Sequence, residues 1–274
     1  MKPKGITICV EYDDLLEMTL RNNMQHLSEC VVVTSLTDQK TVDVVSRVPG
    51  ARVFQTDAFT RYGAKFNKGL AMEEGLNELG RSGWILIWDA DIVFPPTIQY
   101  SFGIALVDHE NLYGVPRLIC ENPAEYARSE SFAWDNAHET VDKEFPGYFQ
   151  LFNASSSYLK DQPYWYDPTF VHAGGGDAWF QTLWPEEKKI RLSSTVLHLG
   201  PRDRNWYGRT TVRLDGKKSK EAVQRAAWLT RLQRIQGWLR RQAVAAGWNQ
   251  STNDRVKIPG VTSTFKWGKS NAPE

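Results

Sequence analysis

The run Trp84-Ile85-Leu86-Ile87-Trp88 is apolar without a break and is followed at once by Asp89-Ala90-Asp91. A strand with no polar position cannot leave one face in water, so it predicts an interior strand of a mainly parallel sheet covered by helices on both sides. The chain before it supplies partners. Ile6–Val10, Cys30–Thr34 and Ala51–Gln55 are short runs rich in β-branched and apolar residues. Between them lie helical periods. Asp13 and Asp14 stand as N-caps before a stripe of Leu16, Leu20, Met24 and Leu27, and Phe66, Gly69, Met72, Leu76 and Leu79 repeat with a helical period that ends near Gly80. Strands alternating with helices imply right-handed crossovers and a ligand crevice at the carboxyl ends of the strands, where the acidic residues stand.

Composition narrows the class further. With 274 residues, 41% apolar and 24% charged, the chain has enough apolar side chains for a real core, which excludes disordered, collagen-like and coiled-coil readings. Thirty-three basic residues against 32 acidic leave a net charge of +1, so total charge announces neither a nucleic acid nor a membrane. The three cysteines, Cys9, Cys30 and Cys120, are odd in number and widely spaced. That argues against a disulfide framework and a cysteine zinc site and sets a reducing compartment as the default. No stretch approaches membrane-spanning length and the start does not read as a signal peptide, so the expected location is a cytoplasm.

Beyond about residue 95 the texture turns irregular, and all eleven tryptophans lie at or after Trp84. The expected organisation is a catalytic domain over 1–210, with a nucleotide-sugar half at 1–100 and an acceptor half at 101–210. A basic amphipathic helical extension follows over 211–248, then a polar tail over 249–274. Within Lys217–Trp248, which holds eight Lys or Arg and one Glu, Trp228, Leu232, Ile235, Leu239 and Ala243 form one stripe, and Arg231, Arg234 and Arg241 fall on another side.

Three constellations carry chemistry. Asp89 and Asp91 stand two apart beyond a buried strand, where two carboxylates repel unless a cation lies between them; hard oxygen ligands suit Mg²⁺ or Mn²⁺ bridging to a diphosphate. Gly174-Gly175-Gly176-Asp177 lets the backbone approach a ligand closely and presents an acid at a helix start, able to serve as a general base. His198, alone in the apolar run Val196–Gly200, has an imidazole nitrogen that suits Mn²⁺ beside carboxylates. The following segment to Arg209 is basic and aromatic, suited to phosphate.

In their order along the chain, Tyr12-Asp13, Asp38, Lys65-Phe66-Asn67-Lys68-Gly69, Asp89-Ala90-Asp91, Gly-Gly-Gly-Asp177 and His198 resemble the GT-A nucleotide-sugar glycosyltransferases, particularly those similar to family 2. The resemblance runs from Ile6 to about Arg209. It implies a GT-A fold, a UDP-sugar donor across the strand ends and Mn²⁺ or Mg²⁺. Tyr12, Asp13 and Asp38 would lie near the base, and Lys65, Asn67, Lys68 and Arg209 near ribose or phosphate. Asp89 would meet ribose or metal, with Asp91 and His198 on the metal. Asp177 would be the catalytic base of an inverting reaction, with Gly175, Gly176 and Trp179 toward the acceptor. Two departures stand out: the family's acidic pair is Gly176-Asp177 here, and its Arg-x-Asn is Lys65-Phe66-Asn67.

The acceptor classes compatible with the sequence are a hydroxymethylated pyrimidine in DNA, as for phage-type enzymes, and a cell-surface or lipid-linked glycan. Two other functions compete. Asp89-x-Asp91 also resembles the haloacid-dehalogenase phosphatase motif, but that motif normally opens its domain and gives Asp177 and His198 no task. A non-catalytic glycan- or nucleic-acid-binding module would use the tryptophans and the basic segment alone.

Overall fold

The computed structural model of the chain describes residues 2–105, 107–139, 145–170, 172–201, 205 and 208–217. By its internal contacts the chain divides into Met1–Ala226 and Ala227–Glu274. The expected basic helix is described only at 211–217, which forms turns. The Trp228–Ala243 stripe and the tail over 249–274 lie outside the described residues.

The strands are β1 (Lys4–Ile8), β2 (Glu29–Ser35), β3 (Ala51–Thr56), β4 (Trp84–Trp88), β5 (Ile92–Val93), β6 (Leu112–Gly114), β7 (Arg117–Cys120), β8 (His138–Glu139), β9 (Phe149–Asn153), β10 (Lys189–Arg191) and β11 (Val196–Leu199). The helices are α1 (Asp13–Met24), α2 (Gln39–Ser46), α3 (Lys68–Leu79), α4 (Ile98–Ala105), α5 (Pro123–Arg128), α6 (Glu130–Asn136) and α7 (Gly176–Gln181). A seven-stranded sheet has the order β10-β6-β9-β4-β1-β2-β3, and a smaller one the order β5-β11-β7-β8. In the large sheet β9 alone runs against its neighbours, pairing antiparallel with β4 and β6. This is the expected α/β architecture of a mainly parallel sheet flanked by helices. The reversed β9 and the second sheet were not foreseen.

The sheet is covered on both faces because its strands alternate apolar residues to each side. Trp84, Leu86 and Trp88 of β4 enter one core with Leu16 and Leu20 of α1 and Phe102 of α4; Ile85 and Ile87 enter the other with Met72 and Leu76 of α3 and Phe180 of α7. The first strand sits earlier than the expected Ile6–Val10. Its pairing with β2 runs from Lys4↔Glu29 to Ile8↔Val33, and Glu11 then takes a φ of 61°, a left-handed conformation that ends extension. Among the described tryptophans, Trp84, Trp88, Trp165 and Trp184 are buried, so in this part of the chain they chiefly fill the core.

Candidate functional site

The carboxyl end of β4 is where the acidic residues gather. Asp89 and Asp91 do not share one side of an extended ribbon, because the chain turns there: Ile92 N–H donates to the Asp89 carbonyl at 3.0 Å. The two carboxylates therefore diverge. Asp91 meets His198, whose Nε2 lies 3.6 Å from Asp91 Oδ2, while Asp89 Oδ1 accepts from Lys68 Nζ at 3.0 Å. The set Asp89, Asp91, His198 expected from the sequence is thus closed only as a pair. Among the described residues no three His, Cys, Asp or Glu side chains converge on a metal position.

The pair itself is suited to a cation. His198 Nδ1 lies 2.9 Å from the Gly200 carbonyl and donates to it, which orients the ring so that Nε2 points toward Asp91. Asp91 Oδ1 is buried and has no hydrogen-bond partner among the described residues. Burial pushes the Asp91 carboxyl above its usual range against the pull of His198, and the neighbouring Asp89 adds to the rise.

Lys68 joins this turn to the base candidate. Its Nζ, buried at the start of α3, reaches Asp177 Oδ2 at 3.1 Å as well as Asp89. Burial works against its charge, yet Asp177 and Asp89 together hold the ammonium above the ordinary lysine value. Asp177 is raised by its burial, with Lys68 opposing. Of the three glycines before it, only Gly175 uses the left-handed region, at φ 95°. A Cβ on Gly175 would also meet the Phe170 ring at 2.8 Å, and Gly176 packs on Tyr166. Trp179 is half-buried, its ring 5.2 Å from that of Tyr164.

The donor-side expectations divide. Asn67 caps α3, accepting from Leu70 N–H at 2.8 Å and donating to the Pro168 carbonyl, and half-buried Lys65 lies two residues before it. Asp38 caps α2: its carboxylate accepts from Thr41 N–H and Oγ1, from Thr34 Oγ1 and from Glu11 N–H at 2.7 Å. The last of these bonds holds the backbone of Glu11, whose φ is 61°. Asp13 and Asp14 are not caps, since Tyr12 holds that position and both acids lie in the first turn. Asp13 is clasped bidentately by Arg213 at 2.6 Å, and Asp14 by buried Arg209. Burial resists ionisation of Asp14, but Arg209 keeps its carboxyl below the usual range. Arg209 lies over the Tyr12 ring at 4.8 Å and donates to the Glu11 carbonyl. Residues 209–214 are therefore tied to the start of α1, and the Arg209 charge is matched by Asp14. A pocket at the ends of β1, β2 and β3 is walled by Val10, Ser35, Thr37, Thr56, Phe59 and Thr60. Tyr12 and Asp38 are not among its walls.

Several residues that build the site were not singled out in the sequence. Thr19 Oγ1 donates to the Ala90 carbonyl at 2.7 Å, Asn23 Nδ2 donates to Ile92 O at 2.8 Å, and Asn23 Oδ1 accepts from Phe94 N–H at 2.9 Å. These polar residues, with Asn22 and His26, form a stripe of helical spacing beside the apolar stripe of α1, and that spacing was the available signal. Buried Tyr166 and Gln150 surround Asp177, and no local pattern points to them.

No family model and no curated protein sequence matches the chain. Solved structures do. A mycobacterial protein is similar at a TM-score of 0.48 with 15% identity, over 74% of this chain and 68% of that one. Glucosyl-3-phosphoglycerate synthase from Mycobacterium tuberculosis, in complex with Mn²⁺, UDP-glucose and phosphoglyceric acid, is similar at 0.46 with 14% identity, over 74% and 72%. The 4-diphosphocytidyl-2C-methyl-D-erythritol synthase from Anaerococcus prevotii is similar at 0.41 with 12% identity, over 70% and 87%. These are likenesses of fold.

Proposed function

We propose that the chain is a metal-dependent inverting glycosyltransferase that moves a sugar from a UDP-sugar to an acceptor hydroxyl. The observation that carries the reading is Lys68: one ammonium links the acidic turn after β4, beside the Asp91–His198 pair, to Asp177 on α7. A cation site and a base thus lie one side chain apart. Asp91 and His198 fit Mn²⁺ or Mg²⁺: one carboxylate oxygen is buried and without a partner among the described residues, and the other lies 3.6 Å from an imidazole nitrogen. When bound, the ion supplies neutralisation of the diphosphate charge.

The pocket at the ends of β1–β3, with its hydroxyl-bearing walls, is assigned to the nucleoside end of the donor. Asp177 takes the proton of the acceptor hydroxyl. The acceptor oxygen then bonds to the anomeric carbon on the face opposite UDP, the bond from that carbon to the diphosphate oxygen breaks, and UDP leaves with inversion. Lys68 stays protonated, because both its partners favour the charge.

For the acceptor, the eight basic residues against one acidic within 217–248 favour DNA carrying hydroxymethylated pyrimidines, with a glycan as the competing outcome. The test is incubation with UDP-glucose, UDP-galactose or UDP-N-acetylglucosamine, Mn²⁺ and either hydroxymethylated duplex DNA or glycan acceptors, read by mass shift. Transfer that requires Mn²⁺ and falls at least about 100-fold in Asp91→Ala is expected. A steep loss of DNA affinity with salt supports the DNA acceptor, and a shallow one removes it. Failure of every UDP-sugar to bind or react would overturn the reading.

A further inference from the structure

Both oxygens of Asp177 are engaged, but by groups of different origin. Oδ2 meets Lys68, which also serves the acidic turn. Oδ1 lies 3.2 Å from the hydroxyl of Tyr166, whose single proton is shared between Oδ1 and Gln150 Oε1, and Gln150 Nε2 donates to the Asp177 backbone carbonyl at 3.3 Å. The side chain and backbone of Asp177 are thus clasped by a pair of wholly buried residues. Gln150 stands on β9, the one reversed strand of the large sheet, where a fully buried amide needs such partners.

The Tyr166 end is fixed from behind. The backbone N–H groups of Trp165 and Tyr166 donate to Glu73 Oε1 at 2.7 and 2.6 Å, and Glu73 is paired with Arg81, whose guanidinium lies 4.5 Å from the centre of the Trp165 ring. The Tyr166 ring stacks on Phe180 at 4.9 Å. On the remaining side Gly147 has no side chain, and a Cβ there would come within 2.9 Å of Asp177 Cβ. The carboxylate therefore sits in a seat with little freedom to swing.

We propose that Tyr166 and Gln150 are positioning residues for Asp177, holding its carboxylate in the orientation from which it accepts the acceptor's proton. This rests on the transferase reading, and specifically on Asp177 as its base. Burial and the Asp177 charge push the Tyr166 hydroxyl well above its ordinary pKa, so it remains a neutral donor.

The experiment measures UDP release from UDP-glucose, UDP-galactose and UDP-N-acetylglucosamine, with Mn²⁺ present and water as acceptor. The chains compared are the unaltered protein, Tyr166→Phe, Gln150→Met, Asp177→Asn and the double variant Tyr166→Phe/Asp177→Asn. Tyr166→Phe and Gln150→Met are expected to lower kcat about 10- to 100-fold, with donor KM and UDP affinity unchanged. In the Asp177→Asn background, Tyr166→Phe is expected to cost nothing further, because its effect passes through the carboxylate. An unchanged kcat in both single variants, or an equal further loss in the Asp177→Asn background, overturns the positioning role while leaving the base in place. A raised donor KM with unchanged kcat likewise overturns it, since that marks general loosening. Full activity in Asp177→Asn, or no UDP release by the unaltered chain, overturns the underlying reading instead.

Discussion

Lys68 divides the site into two sides that are held by different means. On the cation side, Asp91 stands on a tight turn between two strands, and backbone bonds from Asp89 to Tyr148 and from Leu199 to Asp91 hold that turn together with α1. Thr19, Asn22 and Asn23 of α1 take up the Ala90, Ile92 and Phe94 backbone groups directly. On the base side, Asp177 stands on a six-residue helix. Its seat comes from α3, β9 and the 165–166 loop, joined among the described residues by hydrogen bonds that each use a side chain and by the stacking of Tyr166 on Phe180. A turn tied by backbone groups keeps its shape whatever the site binds. A seat made of side chains from distant elements depends on every one of them.

Lys68→Met gives the largest expected break in this division. It removes the shared cation and leaves Asp89 and Asp177 as near neighbours of like charge in a partly dry crevice. Breaking a buried ion pair by deleting one partner costs about 3–5 kcal/mol, and partial solvation of Asp89 sets the expectation near the lower figure. Urea unfolding measures it. Lys68→Arg, which keeps the charge, should recover most of the loss. If methionine proves as stable as lysine, the bridge does not join the two sides.

Asn23→Ala tests the cation side alone. It leaves the Phe94 N–H and the Ile92 carbonyl buried without their partner, a loss of about 1–3 kcal/mol. Because the Asp91 turn depends on α1, Mn²⁺-dependent UDP affinity should fall in this variant while UDP affinity without metal holds. Equal loss with and without metal would mean that α1 supports the whole crevice and that the two sides are not separate.

The same division explains what could be read in the sequence. Trp84–Trp88 followed by Asp89 and Asp91 announces an interior strand and its acidic end, because burial on both faces leaves a continuous local signature. His198 in its apolar run and Asp177 behind its glycines are local in the same sense. What was missed is non-local. That Asp89 turns to Lys68 while Asp91 turns to His198 depends on a turn of φ and ψ that the spacing alone does not specify. Tyr166 and Gln150 meet Asp177 because β9 runs backward beside β4, a pairing that no periodicity encodes. Arg209 reads as a phosphate ligand until Asp14 is seen to lie within its reach.

His26, at the far end of the α1 polar stripe, supplies the smallest effect and one that depends on pH. Its Nδ1 lies 3.1 Å from Gln99 Nε2, and its buried Nε2 has no partner among the described residues. Burial, with the Lys2 charge adding to it, holds the imidazole neutral and its pKa below the ordinary 6.5. The unfolded chain then binds the proton more readily than the folded one, so stability rises with pH across this window. The contribution is whole above about pH 6.5 and is lost as the pH falls from there through the folded value. Replacing His26 by Gln removes the titration but keeps a polar side chain, so the drop in unfolding free energy between pH 7.5 and 5 should shrink. Urea midpoints at the two pH values decide it. An unchanged drop would assign the acid sensitivity to groups other than His26, and not to Asp91, whose raised carboxyl works in the opposite direction.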